Sequence, residues 1–180
     1  MADPGSGKAR NLASGIAVVL MAMVATATGI WLQRSGEAPA AQSALANLSL
    51  PDPGGKAQSL AQWRGQVVLV NFWATWCEPC RKEMPALEAA QKQFGPNGLQ
   101  IVGIAIDSPG KVAQFAKEVG VSYPLVTGGL ETIEMIRELG NKAGGLPFTV
   151  VLDRQGRVKA THLGELSGAD IERLIRPHLG

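Results

Sequence analysis

Continuous apolar runs alternate with helix-like periodicity through most of the chain. Val67 to Trp73 is apolar apart from Asn71, and Leu99 to Ile106 is a second such run. Runs of this length and composition are typical of strands that are buried on both faces of a sheet. Between them, residues 79–94 have apolar positions on one helical face. The pattern therefore predicts a strand, a helix and a second strand in succession.

Shorter elements flank this unit. Leu48–Leu50 and Gln58–Leu60 surround a Pro-Asp-Pro-Gly-Gly turn and predict a hairpin. Downstream, the sequence predicts helices over 111–119, 131–139 and 169–175. Ser167 is the expected N-cap of the last helix. Strands are predicted over 124–126, 148–152 and 157–162. After the hairpin the order is β-α-β-α-β-α-β-β-α. That order predicts an α/β domain over 48–180, with a mixed central sheet and helices on both faces.

The beginning of the chain has a different pattern. A charge-free, mainly apolar run of 23 residues, from Asn11 to Gln33, follows Lys8 and Arg10. As a helix it would extend about 34 Å, enough for a hydrocarbon core of ~30 Å. Basic residues before such a run favour a cytoplasmic N-terminus. We therefore expect a cytoplasmic segment over 1–10, a transmembrane anchor over 11–33 and a linker rich in Ala, Ser, Gln and Pro over 34–47.

Two alternatives to an anchor arise. Ala38-Pro39-Ala40 resembles the small-residue site of a cleaved signal peptide, although it lies well beyond Leu32 and the apolar run is long for a signal. A buried core helix is disfavoured, because the apolar residues cover every face. Either membrane interpretation places the α/β domain in an oxidising compartment.

Composition and charge narrow the function. The chain is 46% hydrophobic and 18% charged, which is sufficient for a packed core. Its formal net charge of +2 provides no strong basic field. A nucleic acid partner is therefore not expected.

The chain has two cysteines, Cys77 and Cys80, between the first long strand and its helix. A zinc site needs four ligands, or three and a water, whereas only His162 and His178 could add to the pair, without ligand-like spacing. A disulfide that closes a loop of two intervening residues also adds little stability. The spacing favours redox exchange.

The position of Cys77 bears on its reactivity. The first-turn N–H groups of a helix stabilise a thiolate. Lowering a thiol pKa from ~8.5 to ~7 requires about 2 kcal/mol. A helix terminus typically supplies ~0.3–1 kcal/mol, rising to ~2 kcal/mol when partly buried, so we expect a hydrogen bond from the Cys80 thiol to contribute. The charge of Glu78 should disfavour the thiolate and make the pair more reducing.

The segment Val70-Asn71-Phe72-Trp73 followed by Trp76-Cys77-Glu78-Pro79-Cys80 resembles thioredoxin-like proteins of the TlpA/ResA type. The resemblance covers roughly 48–179, and weaker pieces support it in order: Leu50-Pro51-Asp52 with Gly55-Lys56, Arg64-Gly65, Gly145-Leu146-Pro147 and Val150-Val151-Leu152-Asp153. It implies a thioredoxin-like fold in an anchored thiol–disulfide oxidoreductase that faces the bacterial periplasm or the outer cell surface.

The resemblance also implies partners and roles. Substrates would be exported proteins with disulfides, apocytochrome c among them by analogy, and electrons would come from a membrane thiol relay. The redox-active disulfide would serve without another cofactor or a metal. Cys77 resembles the attacking nucleophile, Cys80 the resolving cysteine and Pro147 the cis-proline opposite them. The substrate groove is expected to comprise Trp76, Glu78, Pro79, Leu146 and Pro147.

Four further positions affect the expected chemistry and shape of the site. Classical thioredoxins have a buried Asp six residues before the first cysteine, whereas this chain has Asn71, which cannot take a proton. Glu83, one turn after Cys80, is the candidate proton acceptor and matches a glutamate of the TlpA/ResA type; the alternative is a solvated first-turn glutamate. Trp73 either packs in the core or shapes the surface around the disulfide. Phe148 replaces a frequent Thr, which alters the expected groove.

Three other functions are alternatives to this one. The same dithiol could act as an oxidant that donates its disulfide. A peroxiredoxin-like peroxidase would need a peroxidatic cysteine beside an Arg and a distant resolving cysteine. A copper chaperone of this fold would typically use CxxxC and a distant His, whereas the chain has CxxC, and His162 falls in a predicted strand.

Overall fold

The computed structural model describes residues 40–180. The predicted cytoplasmic segment 1–10, the predicted anchor 11–33 and residues 34–39 of the predicted linker lie outside the described residues. Within 40–180, no helix combines the length and the apolar character needed to cross a bilayer.

The elements follow the predicted order. The strands are β1 (Ser49–Pro51), β2 (Ala57–Ser59), β3 (Val67–Trp73), β4 (Leu99–Ala105), β5 (Leu125–Thr127), β6 (Phe148–Leu152) and β7 (Val158–Leu163). The α-helices are α1 (Ala40–Ala46), α2 (Glu78–Phe94), α3 (Pro109–Val119), α4 (Leu130–Glu138) and α5 (Gly168–Leu179). Short 3-10 turns over Leu60–Trp63 and Gly95–Asn97 precede β3 and β4.

The central sheet has five strands in the order β5-β4-β3-β6-β7. The pairs β3–β4 and β4–β5 are parallel, whereas β3–β6 and β6–β7 are antiparallel. β1 and β2 form a separate antiparallel pair. The prediction of a thioredoxin-like α/β fold with a mixed sheet is confirmed.

All seven residues of β3 are buried, as its apolar run predicted. Because side chains alternate along a strand, Leu69 and Trp73 join the core formed with α2, α3 and α5. Val70 and Phe72 join the opposite core, which includes residues of α1, β1 and α4. Helices therefore cover both faces of the sheet, and β3 lies at its centre.

The region predicted to be a linker differs from expectation. Residues 40–46 form α1, whose Ala41 and Leu45 are buried, and Leu45 packs in the same core as Phe72. Alanine has the highest helix propensity, and one apolar pair spaced by four residues gives this short helix a buried side. A helix of two turns is too short to be identified from the periodicity of its sequence.

The last helix is longer than predicted. Ser167 caps α5 as expected, in a capping box with Asp170. The helix continues to Leu179, beyond the predicted end at Ile175, and includes Pro177. Pro177 lies in the last turn of the helix, and the predicted helix stopped before it.

Candidate active site

The two cysteines form a disulfide at the beginning of α2. Their Sγ atoms are 2.05 Å apart. Cys77 is the N-cap residue, and its Sγ accepts a hydrogen bond from the backbone N–H of Cys80 at 3.3 Å. Cys77 is 6% exposed, whereas Cys80 is completely buried. An incoming thiol or disulfide therefore has access to Cys77 rather than to Cys80.

The local sequence explains why a helix begins here. β3 ends at Trp73, and the N–H of Cys77 donates to the carbonyl of Ala74 at 3.1 Å, which closes a turn. Pro79 lies in the first turn of α2, where its missing N–H leaves no hydrogen bond unmade. The free N–H groups of this turn favour negative charge at the Cys77 sulfur.

Glu83 lies one turn beyond Cys80 and is buried, with only 1% of its surface exposed. Its Oε1 accepts from Nδ2 of Asn71 at 2.7 Å, and its Oε2 accepts from the backbone N–H of Leu166 at 2.8 Å. The same Asn71 amide also donates to Oγ1 of Thr149 at 3.2 Å. A solvated first-turn glutamate, the alternative raised from the sequence, is inconsistent with this burial.

The environment of Glu83 raises its pKa to about 7. Burial is the dominant cause, because it disfavours the charged carboxylate. The hydrogen bonds from Leu166 and Asn71 partly oppose the rise, and the nearby charge of Glu165 adds to it. A carboxyl group with this pKa is able both to accept and to release a proton near neutral pH.

Tyr123 is a further buried polar residue on this side of the sheet. Its hydroxyl has no hydrogen-bond partner within residues 40–180. Burial raises the pKa of Tyr123, and the charges of Glu83 and Glu88 raise it further. The adjacent Ser122 is bound to Glu88 of α2 through its N–H at 2.8 Å and its hydroxyl at 2.6 Å. Together these contacts fix the segment before β5 against α2.

The loop before β6 reaches the same end of the sheet as the cysteines. Phe148 is the Cα partner of Phe72, so Pro147 lies beside the end of β3 from which the cysteine turn leads. The Leu146–Pro147 peptide bond is cis, in agreement with the resemblance. The Asn141 side chain holds this loop through the carbonyl of Gly145 at 2.7 Å and its N–H at 3.3 Å.

The residues predicted to form the substrate groove differ in exposure. Trp76 is 68% exposed, and Glu78 and Pro79 are exposed in the first turn of α2. Leu146 is half-buried and Pro147 is buried. Their role in substrate binding stays a prediction. Trp73, which sequence analysis left between two roles, lies wholly in the core, with its ring 5.4 Å from that of Phe115.

Sequence analysis missed a polar contact beside the cysteine turn. The hydroxyl of Thr75 donates to Oδ2 of Asp107, which follows β4, and Oδ1 of Asp107 accepts from the N–H of Ser108 at 2.7 Å. Burial opposes the charge of Asp107, but these bonds and Lys111 outweigh it, so its pKa lies below the usual value. The signal was present in the sequence, because the carboxyl ends of two parallel strands meet at one edge of a sheet.

The described residues offer no cluster of three or more His, Cys, Asp or Glu side chains that could hold a metal ion. His162, the histidine considered for copper, lies in β7 as the Cα partner of Thr149.

A disulfide between the slightly exposed Cys77 and the fully buried Cys80, at the beginning of a helix on a mixed α/β sheet, defines a thioredoxin-like thiol–disulfide oxidoreductase. The sequence model of the Redoxin family matches residues 34–175, and the chain belongs to this family. Among curated relatives, the thiol-disulfide oxidoreductase ResA of Geobacillus kaustophilus is 30% identical over 169 residues, which are 92% of this chain and 95% of that protein. ResA of Bacillus subtilis is 33% identical over 73% of each chain.

Solved structures agree with this assignment. A thiol:disulfide interchange protein of the thioredoxin family from Chlorobium tepidum is 34% identical, with a TM-score of 0.67 over 74% of this chain and 93% of that one. A secreted thiol-disulfide isomerase from Corynebacterium glutamicum is 26% identical, with a TM-score of 0.68 over 75% of this chain and 84% of that one. The resemblance to the ResA type is confirmed.

Proposed function

We propose that this oxidoreductase reduces disulfides of exported proteins on the outer side of the cytoplasmic membrane of a bacterium, the periplasm. The observation that carries the proposal is the buried Glu83 carboxyl, one turn from Cys80, with a pKa of about 7. It supplies the proton acceptor that Asn71 cannot supply. The Cys77–Cys80 pair itself carries the electrons, so the proposal includes no cofactor or metal.

The reaction follows from the positions of these groups. In the reduced enzyme, the Cys77 thiolate attacks the substrate disulfide, forms a mixed disulfide and releases one substrate thiol after protonation. The Cys80 thiol then gives its proton to the Glu83 carboxylate and attacks Sγ of Cys77. The second substrate sulfur leaves as a thiolate and takes up a proton. Two electrons pass to the substrate, and the Cys77–Cys80 disulfide forms.

The direction is argued from charge. An ionised Glu83 close to Cys80 disfavours a thiolate in the reduced pair, and a pair whose reduced form is less stabilised has a lower reduction potential. Glu78, which the sequence suggested for this effect, is exposed and forms an ion pair with Lys82 at 2.8 Å. Solvent and Lys82 both weaken its field at Cys77, so Glu83 is the stronger contribution.

The membrane part of the proposal rests on the sequence and on the relatives. The apolar run over 11–33, preceded by basic residues, supports an anchor with the N-terminus inside. The resemblance to ResA supports substrates such as apocytochrome c and a membrane thiol relay as the electron donor. Trp76 and the loop at Leu146–Pro147 are the surfaces proposed to hold the substrate.

The reduction potential tests the direction. The full chain in detergent is equilibrated with dithiothreitol or glutathione buffers, and the fraction of Cys77–Cys80 disulfide is measured by thiol labelling. We expect a value near or below about −270 mV, that of thioredoxin. A value near −120 mV would identify an oxidant that donates disulfides.

Labelling in intact cells tests the location. After mild reduction, a membrane-impermeant maleimide should modify Cys77 without lysis. Labelling only after lysis would contradict the proposed placement. A Cys77→Ser and Cys80→Ser double variant, which has no thiol, gives the background.

A further inference from the structure

A surface groove lies between α2 and α3, beside the disulfide. Its volume is about 500 Å³. One wall is formed by residues of α2 that are three or four positions apart and therefore share one face of the helix. The other wall is formed by the last two turns of α3. The lining residues are Glu78, Arg81, Lys82 and Pro85 of α2, and Phe115 and Val119 of α3.

The groove begins at Glu78, the residue after Cys77. Pro85 lies seven positions after Glu78, which corresponds to about 10 Å along a helix. An extended polypeptide covers this length with about three residues. When a partner cysteine is joined to Cys77, the residues flanking that cysteine are therefore within reach of the groove.

Arg81 gives the groove a fixed positive charge. Its guanidinium lies 5.4 Å from the centre of the Phe115 ring, in a cation–π contact. Within residues 40–180, Arg81 forms no salt bridge. Lys82, by contrast, forms an ion pair with Glu78 at 2.8 Å. The lining therefore has one cation in excess. A guanidinium held in this way is suited to bind a carboxylate.

The remaining surface of the groove is apolar. Phe115 is almost wholly buried beneath Arg81, whereas Val119 is 37% exposed, which is unusual for a large apolar side chain in this domain. Pro85 is exposed on the facing helix. A ligand that complements the whole groove needs an apolar side chain together with one negative charge.

We propose that this groove binds the segment that flanks the reactive cysteine of the substrate protein, and that it prefers a segment with an acidic residue next to an apolar one. The inference rests on the proposed function, because it names the class of protein disulfide that is reduced. Arg81 binds the acidic side chain, and Phe115, Val119 and Pro85 contact the apolar one. Arg81 is thus a specificity residue and takes no part in the exchange of electrons.

The test uses synthetic disulfide-linked peptides as substrates of the reduced full chain in detergent. Each peptide carries Leu and one variable residue within three positions of its cysteine, and the variable residue is Asp, Asn or Lys. At low salt the Asp peptide should have a kcat/KM about fivefold above the Asn peptide, and the Lys peptide should fall below both. The preference should decrease as salt is added.

Two variants separate Arg81 from general charge. Arg81→Gln should bring the Asp-to-Asn ratio to about one. Lys117→Gln removes the same charge from an exposed position of α3 that does not line the groove, and the ratio should stay near five. Val119→Ser should lower kcat/KM for peptides with Leu and leave those with Gly in its place unaffected.

The outcomes also separate this inference from the proposed function. Equal rates for Asp, Asn and Lys peptides in the unmodified protein, or equal loss of the ratio in Lys117→Gln and Arg81→Gln, would overturn the groove assignment while peptide reduction continued. Failure to reduce any peptide, with 2-hydroxyethyl disulfide still reduced, would overturn the proposed action on protein disulfides.

Discussion

The Asn71 amide donates to the Glu83 carboxylate across 2.7 Å, in a site where both side chains are buried. Asn71 belongs to the central strand and Glu83 to the helix that begins at the disulfide. The bond therefore joins the centre of the sheet to a buried carboxyl group one turn beyond Cys80. It holds one carboxylate oxygen, while the backbone of Leu166 holds the other.

The stability of the oxidised protein should depend on the ionisation of Glu83. An unfolded glutamate ionises near 4.5, whereas Glu83 in the folded protein has a pKa of about 7. Between these values the folded state keeps a proton that the unfolded state has lost. The stabilisation is therefore complete below pH 4.5 and is lost as the pH rises through 7, by about 3 kcal/mol in total.

Glu83→Gln removes this dependence. The difference in unfolding free energy between the variant and the unmodified protein should shift by up to about 3 kcal/mol in favour of the variant from pH 5 to pH 9. Urea unfolding of the oxidised proteins at pH 5, 7 and 9 measures it. Glu88→Gln, on the same helix, is the control and should show no such shift over this range, because the Glu88 pKa is already below its usual value. A constant difference for Glu83→Gln would contradict the assigned pKa.

The reduction potential should respond to the same substitution in a pH-dependent way. Above pH 7, Glu83→Gln removes a negative charge near Cys80 and should raise the potential, by up to about 30 mV. At pH 5 Glu83 is protonated, and the two proteins should have equal potentials. Equilibration with dithiothreitol buffers at both pH values gives the comparison. A difference that persists at pH 5 would indicate a packing effect instead of charge.

Asn71→Asp should shift the pH dependence of disulfide exchange to higher pH. A second carboxyl within hydrogen-bond distance of Glu83 forms a pair that disfavours two negative charges, so one pKa of the pair should rise above 7. The rate of disulfide exchange should then reach its alkaline plateau at higher pH. Stopped-flow Trp fluorescence against pH measures this shift. Thr149→Val removes the other acceptor of the Asn71 amide without adding charge and should leave the midpoint closer to that of the unmodified protein.

Glu78→Gln should raise the potential, as the sequence suggested, but by less than Glu83→Gln does at pH 8. Glu78 is exposed and paired with Lys82, and salt screens its field. The effect should disappear at 0.5 M salt. An increase larger than that of Glu83→Gln would restore Glu78 as the main determinant.

Asp107→Asn tests the contact behind the cysteine turn. The Asp107 pKa lies below its usual value, so its contribution to stability is present at neutral pH and is lost as the pH falls through that lowered pKa. We expect a loss of about 1–3 kcal/mol at pH 7 and a smaller loss near pH 3. Thr75→Val, which removes only the hydroxyl donor, should give part of the same loss. Equal losses at both pH values would argue against an ionic contribution.

Local sequence was sufficient for much of the fold and part of the site. The apolar run of β3, the cysteine spacing and the position of Glu83 one turn later all depend on neighbouring residues, and helical geometry relates them directly. The order of elements then constrained the sheet, because parallel strands need a crossover and the last hairpin does not.

The rest of the site depends on distant contacts. Leu166 is 83 residues from Glu83 and Thr149 is 78 residues from Asn71, so no local pattern relates them. The burial of Glu83 likewise follows from the packing of α5 and its preceding loop against α2. The groove at Arg81 could not be predicted from the sequence. A stripe of charged residues on a helix commonly faces solvent alone, and the apolar part of the groove comes from a different helix, α3.

The hydrogen bond from the Leu166 amide to Glu83 makes the ionisation of Glu83 observable by NMR. Transfer of a proton to the carboxylate weakens that bond, and the amide nitrogen senses the change although its residue takes no part in the reaction. Its NMR resonance is therefore a built-in indicator of the acid–base state of the buried Glu83 carboxyl group, readable without any label at the cysteines.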